Sequence, residues 1–81
     1  MATMIDRIKK AAAKVHPDCV VEVCEWSDGR SIEILLPEDA GLRWLSGEGT
    51  VLIIGSHFFD SWRETLQAAL DEVRLGTYKD R

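Results

Sequence analysis

The chain has 81 residues, of which 46% are hydrophobic and 30% charged, and its formal net charge is −4. This length allows one small domain, residues 1–81, and this balance excludes an intrinsically disordered chain. The longest aliphatic stretch, 51–54, is far shorter than a membrane span, and the first fifteen residues lack the apolar segment of a signal peptide. We therefore expect a soluble cytoplasmic protein with no membrane partner.

The first predicted element is a helix over residues 3–15. Thr3 and Asp6 have the spacing of a capping box, and Pro17 disfavours helical geometry at His16. One face of this helix is apolar, and the opposite face is basic. The apolar positions are Ile5, Ile8, Ala12 and Val15, and the basic ones are Arg7, Lys10 and Lys14.

Two strands, 19–26 and 31–36, follow as a predicted hairpin. Asp28 and Gly29 between them are typical of a type I′ turn, which would pair Trp26 with Ser31 and Cys24 with Glu33. In that register one face is apolar and faces the core, with Val21, Val23, Ile32, Ile34 and Leu36. The other face is mixed and carries Glu22, Cys24, Trp26, Ser31, Glu33 and Leu35.

Residues 37–49 allow two interpretations. Pro37 could open a short helix that Gly47 closes, or 42–45 could be a strand that turns back into a strand over 50–54. We favour the second, because two glycines in four residues suit a hairpin loop. A final helix ends at Leu75 and begins after Ser56 or Ser61, and residues 77–81 are expected to form a flexible tail.

These elements predict an α/β (α+β) two-layer sandwich of order α-β-β-(β)-β-α. An antiparallel sheet of three or four strands carries both helices on one face, because each helix and the sheet have one apolar side to bury.

No motif indicates catalysis, a metal or another cofactor. Cys19 and Cys24 are an odd number of residues apart on one strand and should point to opposite faces, so we expect neither a shared metal nor a disulfide. Glu22 and Glu33 are predicted diagonal neighbours, but three or four short strands offer no cleft for a carboxylate pair. The chain is therefore not favoured as an enzyme.

Nucleic-acid binding is not favoured either. The order helix, three strands, helix resembles double-stranded-RNA-binding domains in topology alone. That family grips phosphates with lysines at the start of its second helix, where this chain has residues 56–60 and no lysine. The acidic middle of the chain also disfavours contact with a phosphate backbone.

The mixed sheet face has a surplus of apolar residues. Either Val51 and Ile53 or Leu52 and Ile54 must join it, and exposed patches of this kind favour an interface. The candidate interface residues are Trp26, Cys24, Leu35, Trp44, Glu22 and Glu33.

We therefore expect a non-enzymatic interaction or regulatory module. Its partner would be a second copy of the chain, in a homodimer, or another protein. Small acidic proteins of this kind are common products of phages and mobile elements, where they block or adapt a larger protein. One alternative is a small-molecule-binding protein or weak enzyme using Cys24, Glu22 and Glu33, although no ligand is indicated. The other is a nucleic-acid binder acting through the basic first helix.

Overall fold

The computed structural model describes residues 2–47 and 49–79. Two helices pack on a three-stranded antiparallel sheet, and a two-stranded ribbon adjoins it, which confirms the predicted fold class. The helices are α1 (Met4–Val15) and α2 (Trp62–Leu75), and the strands are β1 (Val20–Trp26), β2 (Gly29–Leu35), β3 (Leu42–Trp44), β4 (Val51–Gly55) and β5 (Thr77–Lys79).

Both helices begin at side-chain caps. In α1 the Thr3 hydroxyl accepts from the Asp6 amide while the Asp6 carboxylate accepts from the Thr3 amide, as the capping-box spacing predicts. In α2 the cap is Ser61, whose hydroxyl accepts from the Glu64 amide at 3.1 Å. Ser56 instead opens a single 3-10 turn, Ser56–Phe58, so the later of the two predicted starts of α2 is the correct one.

The register of the β1–β2 hairpin differs from the prediction by two residues. Trp26 pairs with Gly29, Cys24 with Ser31, and Glu22 with Glu33, so the connecting loop consists of residues 27 and 28. The predicted pairing of Trp26 with Ser31 is wrong. Gly29 explains the difference, because it has a φ of +154° and a Cβ there would lie 2.7 Å from the Ser56 hydroxyl. That hydroxyl accepts from the Arg30 amide at 2.8 Å, which holds Gly29 at the start of β2.

The predicted faces survive this shift because side chains alternate with a period of two. Ile32 and Ile34 are fully buried on the core face, and their partners Ile54 and Leu52 on β4 point the same way. Val21 is half-buried, but Val23 is exposed, so the prediction that Val23 lies in the core is wrong. Both residues lie on β1, which is an edge strand with a neighbour on one side only.

The strand predicted over 42–45 is present as Leu42–Trp44, but its partner is not β4. β3 pairs with β5, so residues 77–79 form a strand, where a flexible tail was expected; 80 and 81 lie outside the described residues. Trp44 is consequently fully buried in the core, and its Nε1 donates to the Thr50 carbonyl at 3.1 Å. The prediction that Trp44 reaches the mixed sheet face is wrong.

The core lies between the helices and one face of the sheet. Its buried members are Ile8, Ala12, Ile32, Ile34, Leu36, Trp44, Leu52, Leu66, Ala69, Leu70 and Val73. Within the described residues, neither helix is long and apolar enough to cross a membrane.

Candidate functional site: the uncovered face of the sheet

The side of the sheet opposite the core is called the second face here. It carries alternate residues of three strands: Val20, Glu22, Cys24 and Trp26 on β1, Ser31, Glu33 and Leu35 on β2, and Val51, Ile53 and Gly55 on β4. The ladder aligns them in rows, so that Leu35 lies between Val20 and Val51 and Glu33 lies between Glu22 and Ile53. Val51 and Ile53 are thus the pair that joins this face.

Large apolar side chains on this face are open to solvent. Trp26 is 60% exposed and Ile53 59%, and Val20 and Val51 are exposed beside the half-buried Leu35. By contrast, Leu52, between Val51 and Ile53 on the same strand, is only 4% exposed. The difference arises because both helices pack on the other side of the sheet.

One end of the second face forms a concavity of about 420 Å³. Trp26, Ser31, Glu33, Ile53 and His57 line it, together with residues 28–30. The Trp26 indole is oriented by its own Nε1, which donates to the Ser31 hydroxyl at 2.9 Å, and Ser31 is buried. The concavity therefore has an aromatic wall held by a hydrogen bond, and an aliphatic wall at Ile53.

The turn after β4 folds over the same end of this face. Gly55 continues the alternation of Val51 and Ile53, so a Cβ at this position would point to the second face. That Cβ would lie 2.8 Å from His57 Cε1 and 3.7 Å from Phe58 Cδ2, which places both rings over this end of the face. The two rings are 4.1 Å apart, and Phe58 is 76% exposed. The apolar surface thus extends from Val51 to Phe58.

Cys24 donates a hydrogen bond from its thiol to Glu33 Oε2 across the hairpin. This hydrogen bond raises the pKa of the thiol above its ordinary value, and desolvation and the negative charges of Glu33 and Glu22 add to the effect. Because the thiolate is the nucleophilic form, this environment suppresses the reactivity that a catalytic cysteine needs.

Two carboxylates lie side by side on the second face. Glu22 and Glu33 are direct cross-strand partners, closer than the diagonal neighbours that the sequence predicted. The nearby guanidinium of Arg30 is turned to Trp62, with its carbon 5.2 Å from the ring centroid. The acidic pair therefore gives the middle of this face a negative charge.

Five of the six predicted interface residues share the second face: Trp26, Cys24, Leu35, Glu22 and Glu33. Sequence reasoning left Ile53 open, as part of one of two alternative pairs, and missed His57 and Phe58. Strand alternation could have found Ile53 once the partner of β4 was known, whereas no local pattern places the His57 and Phe58 rings over Gly55.

Cys19 and Cys24 are both free, and Cys19 packs against the core, where burial raises the pKa of its thiol. In the described part of the chain, no three His, Cys, Asp or Glu side chains are grouped so that they could hold a metal ion.

Comparison of the chain with models of known protein families gave no match, and comparisons with curated proteins and with solved structures gave none either. The second face is therefore interpreted from its own chemistry.

Proposed function

We propose that this protein is a non-enzymatic interaction module of the cytoplasm that acts through the second face, and that a second copy of the chain is the occupant. The observation that carries the proposal is the exposure of Trp26 and Ile53 on a face that also contains Val20, Leu35 and Val51. Soluble monomers seldom expose continuous apolar surface of this kind.

The size of the domain supports self-association. A chain of 81 residues buries a limited fraction of its surface, so an interface adds apolar burial that the monomer lacks. A two-fold axis places the same patch on both copies, and each contributes about 25 cal/mol per Å² of apolar surface removed from water.

The acidic pair opposes this gain. Glu22 and Glu33 approach their symmetry mates in a face-to-face dimer, and Glu33 is half-buried already. Association also costs several kcal/mol of lost translational and rotational freedom. We therefore expect a weak dimer that becomes tighter as salt screens the carboxylates.

Sedimentation equilibrium of three chains tests the proposal. Wild type should dimerise, Trp26→Glu should be a folded monomer, and Leu75→Glu should still dimerise, because Leu75 is as exposed as Trp26 but lies on α2. If Trp26→Glu fails to fold, the test uses Ile53→Glu, because Ile53 is an exposed residue of the second face on the edge strand β4. A wild-type chain that stays monomeric at the highest soluble concentration rejects the homodimer.

A second candidate function is small-molecule binding at the same face. The concavity beside Trp26 favours it, because ligand sites combine apolar walls with a few polar groups, here Ser31, Glu33 and His57. In a thermal-shift screen of small aromatic and cationic fragments, hits that raise the melting temperature of wild type but not of Trp26→Ala would support this candidate. An absence of such hits would count against it.

A further inference from the structure

A second concavity lies in the helix layer, away from the second face. It is a groove of about 430 Å³ between α1 and α2, which we call the basic groove. Four of the eight residues that line it are cationic, and none is acidic; they are Arg7, Lys10, Lys14, Arg74, Ala11, Val15, Val73 and Gly76. Sequence analysis identified the α1 cations, but only the tertiary structure adds Arg74.

The four cations of the basic groove have no acidic side chain beside them among the residues that line it. Within the described residues no carboxylate forms an ion pair with any of these four cations. Lys10 and Lys14 are four residues apart on one helix, and Arg7 and Lys10 three apart, spacings at which like charges repel and destabilise the helix. Four such charges around one groove stand out in a chain whose net charge is −4.

Helix electrostatics accounts for only half of the cluster. Lys14 and Arg74 lie in the last turns of their helices, where a cation is favoured by the negative end of the helix dipole. Arg7 and Lys10 lie in the first half and the middle of α1, where that effect has fallen off. The helix dipole therefore does not explain why Arg7 and Lys10 line the same groove as Arg74.

We propose that the basic groove binds a compact, multiply charged anion of the phosphate class. Guanidinium and ammonium groups from two helices can donate charge-assisted hydrogen bonds to phosphate oxygens from two sides. Ala11 has a short side chain and Gly76 has none, so there is room for the anion among the four cations. A Cβ built at Gly76 would have nothing within 4 Å.

A compact anion suits this groove better than a nucleic-acid duplex. The four cations attract a ligand only within the groove, because salt screens their charges over longer distances. A duplex would extend beyond the groove onto the rest of the protein, where its phosphates would meet the chain's excess of negative charge, fourteen acidic residues against ten basic ones. The proposal is independent of the dimer, because the second face lies on the other side of the sheet.

Isothermal titration calorimetry with inorganic tripolyphosphate at low salt tests this site. Lys10→Gln and Arg74→Gln should each weaken binding by about tenfold, the loss of one charge-assisted hydrogen bond. Lys9→Gln is the matched control, since Lys9 is an exposed cation of the same helix that does not line the groove. Circular dichroism verifies that each variant is folded.

Three outcomes would overturn the proposal. Tripolyphosphate could fail to bind the wild-type chain, or Lys9→Gln could weaken binding as much as Lys10→Gln does, which would indicate diffuse attraction without a site. A short RNA or DNA duplex that competes with tripolyphosphate and binds more tightly than tripolyphosphate does would identify nucleic acid as the ligand instead.

Discussion

Glu22 lies directly opposite Glu33 in the β1–β2 ladder, while Glu25, three residues further along the same strand, lies opposite Arg30. Like charges in direct cross-strand pairs destabilise a sheet, and opposite charges stabilise it. The hairpin therefore contains one like-charge and one opposite-charge cross-strand pair, and the two pairs lie on opposite faces of the sheet. The guanidinium of Arg30 itself lies over the Trp62 ring.

Replacing these two glutamates by lysine should change stability in opposite directions. Glu22→Lys turns a repulsive pair into an attractive one and should raise the free energy of unfolding by about 0.5 kcal/mol, whereas Glu25→Lys places a second cation opposite Arg30 and should lower it. Urea denaturation of the two variants and the wild type measures this. Equal changes of the same sign would contradict the register described here.

Trp44 and Trp26 should differ sharply in their contribution to stability. Trp44 is fully buried, so Trp44→Ala should cost about 3–5 kcal/mol and could unfold the domain. Trp26→Ala removes a side chain that is 60% exposed and should cost less than about 1 kcal/mol in the monomer. Chemical denaturation at low protein concentration distinguishes them, and a large loss for Trp26→Ala would place Trp26 in the core.

The Cys24 thiol should become more reactive when Glu33 loses its charge. Glu33 raises the pKa of this thiol, so Glu33→Gln should lower that pKa and move the pH profile of iodoacetamide alkylation to lower pH. A Cys19→Ser background leaves Cys24 as the only thiol. Glu22→Gln is the control and should give a smaller shift, because Glu22 acts only through its charge. An unchanged profile for Glu33→Gln would contradict the thiol–carboxylate contact.

The capping box of α1 should make stability depend on pH. Hydrogen bonds from the backbone and the hydroxyl of Thr3 lower the pKa of Asp6 below the ordinary value of an aspartate. A carboxyl group with a lowered pKa in the folded state stabilises the protein above its unfolded-state pKa and loses that contribution as pH falls through the folded-state value. Asp6→Asn should therefore be less stable than wild type at neutral pH and equally stable in strong acid. Urea titrations across this range measure the difference, and a gap that persists in acid would argue against this origin.

Local signals in the sequence determined both ends of α1, narrowed the start of α2 to two serines, and determined the faces of the strands. Thr3, Ser61 and Pro17 act on neighbouring backbone groups, so their effects can be recognised without knowledge of the rest of the fold. Strand faces are equally robust, because the hairpin register moved by two residues and left every side chain on its predicted side.

The tertiary structure decided the contacts between distant segments. The approach of Ser56 to Gly29 set the hairpin register, and the pairing of β3 with β5 turned Trp44 into the core. The packing of α2 against α1 brought Arg74 to Lys10 at the basic groove. Partners of this kind are many residues apart, and the geometry that joins them depends on how all the apolar faces pack at once, so no short sequence pattern encodes it.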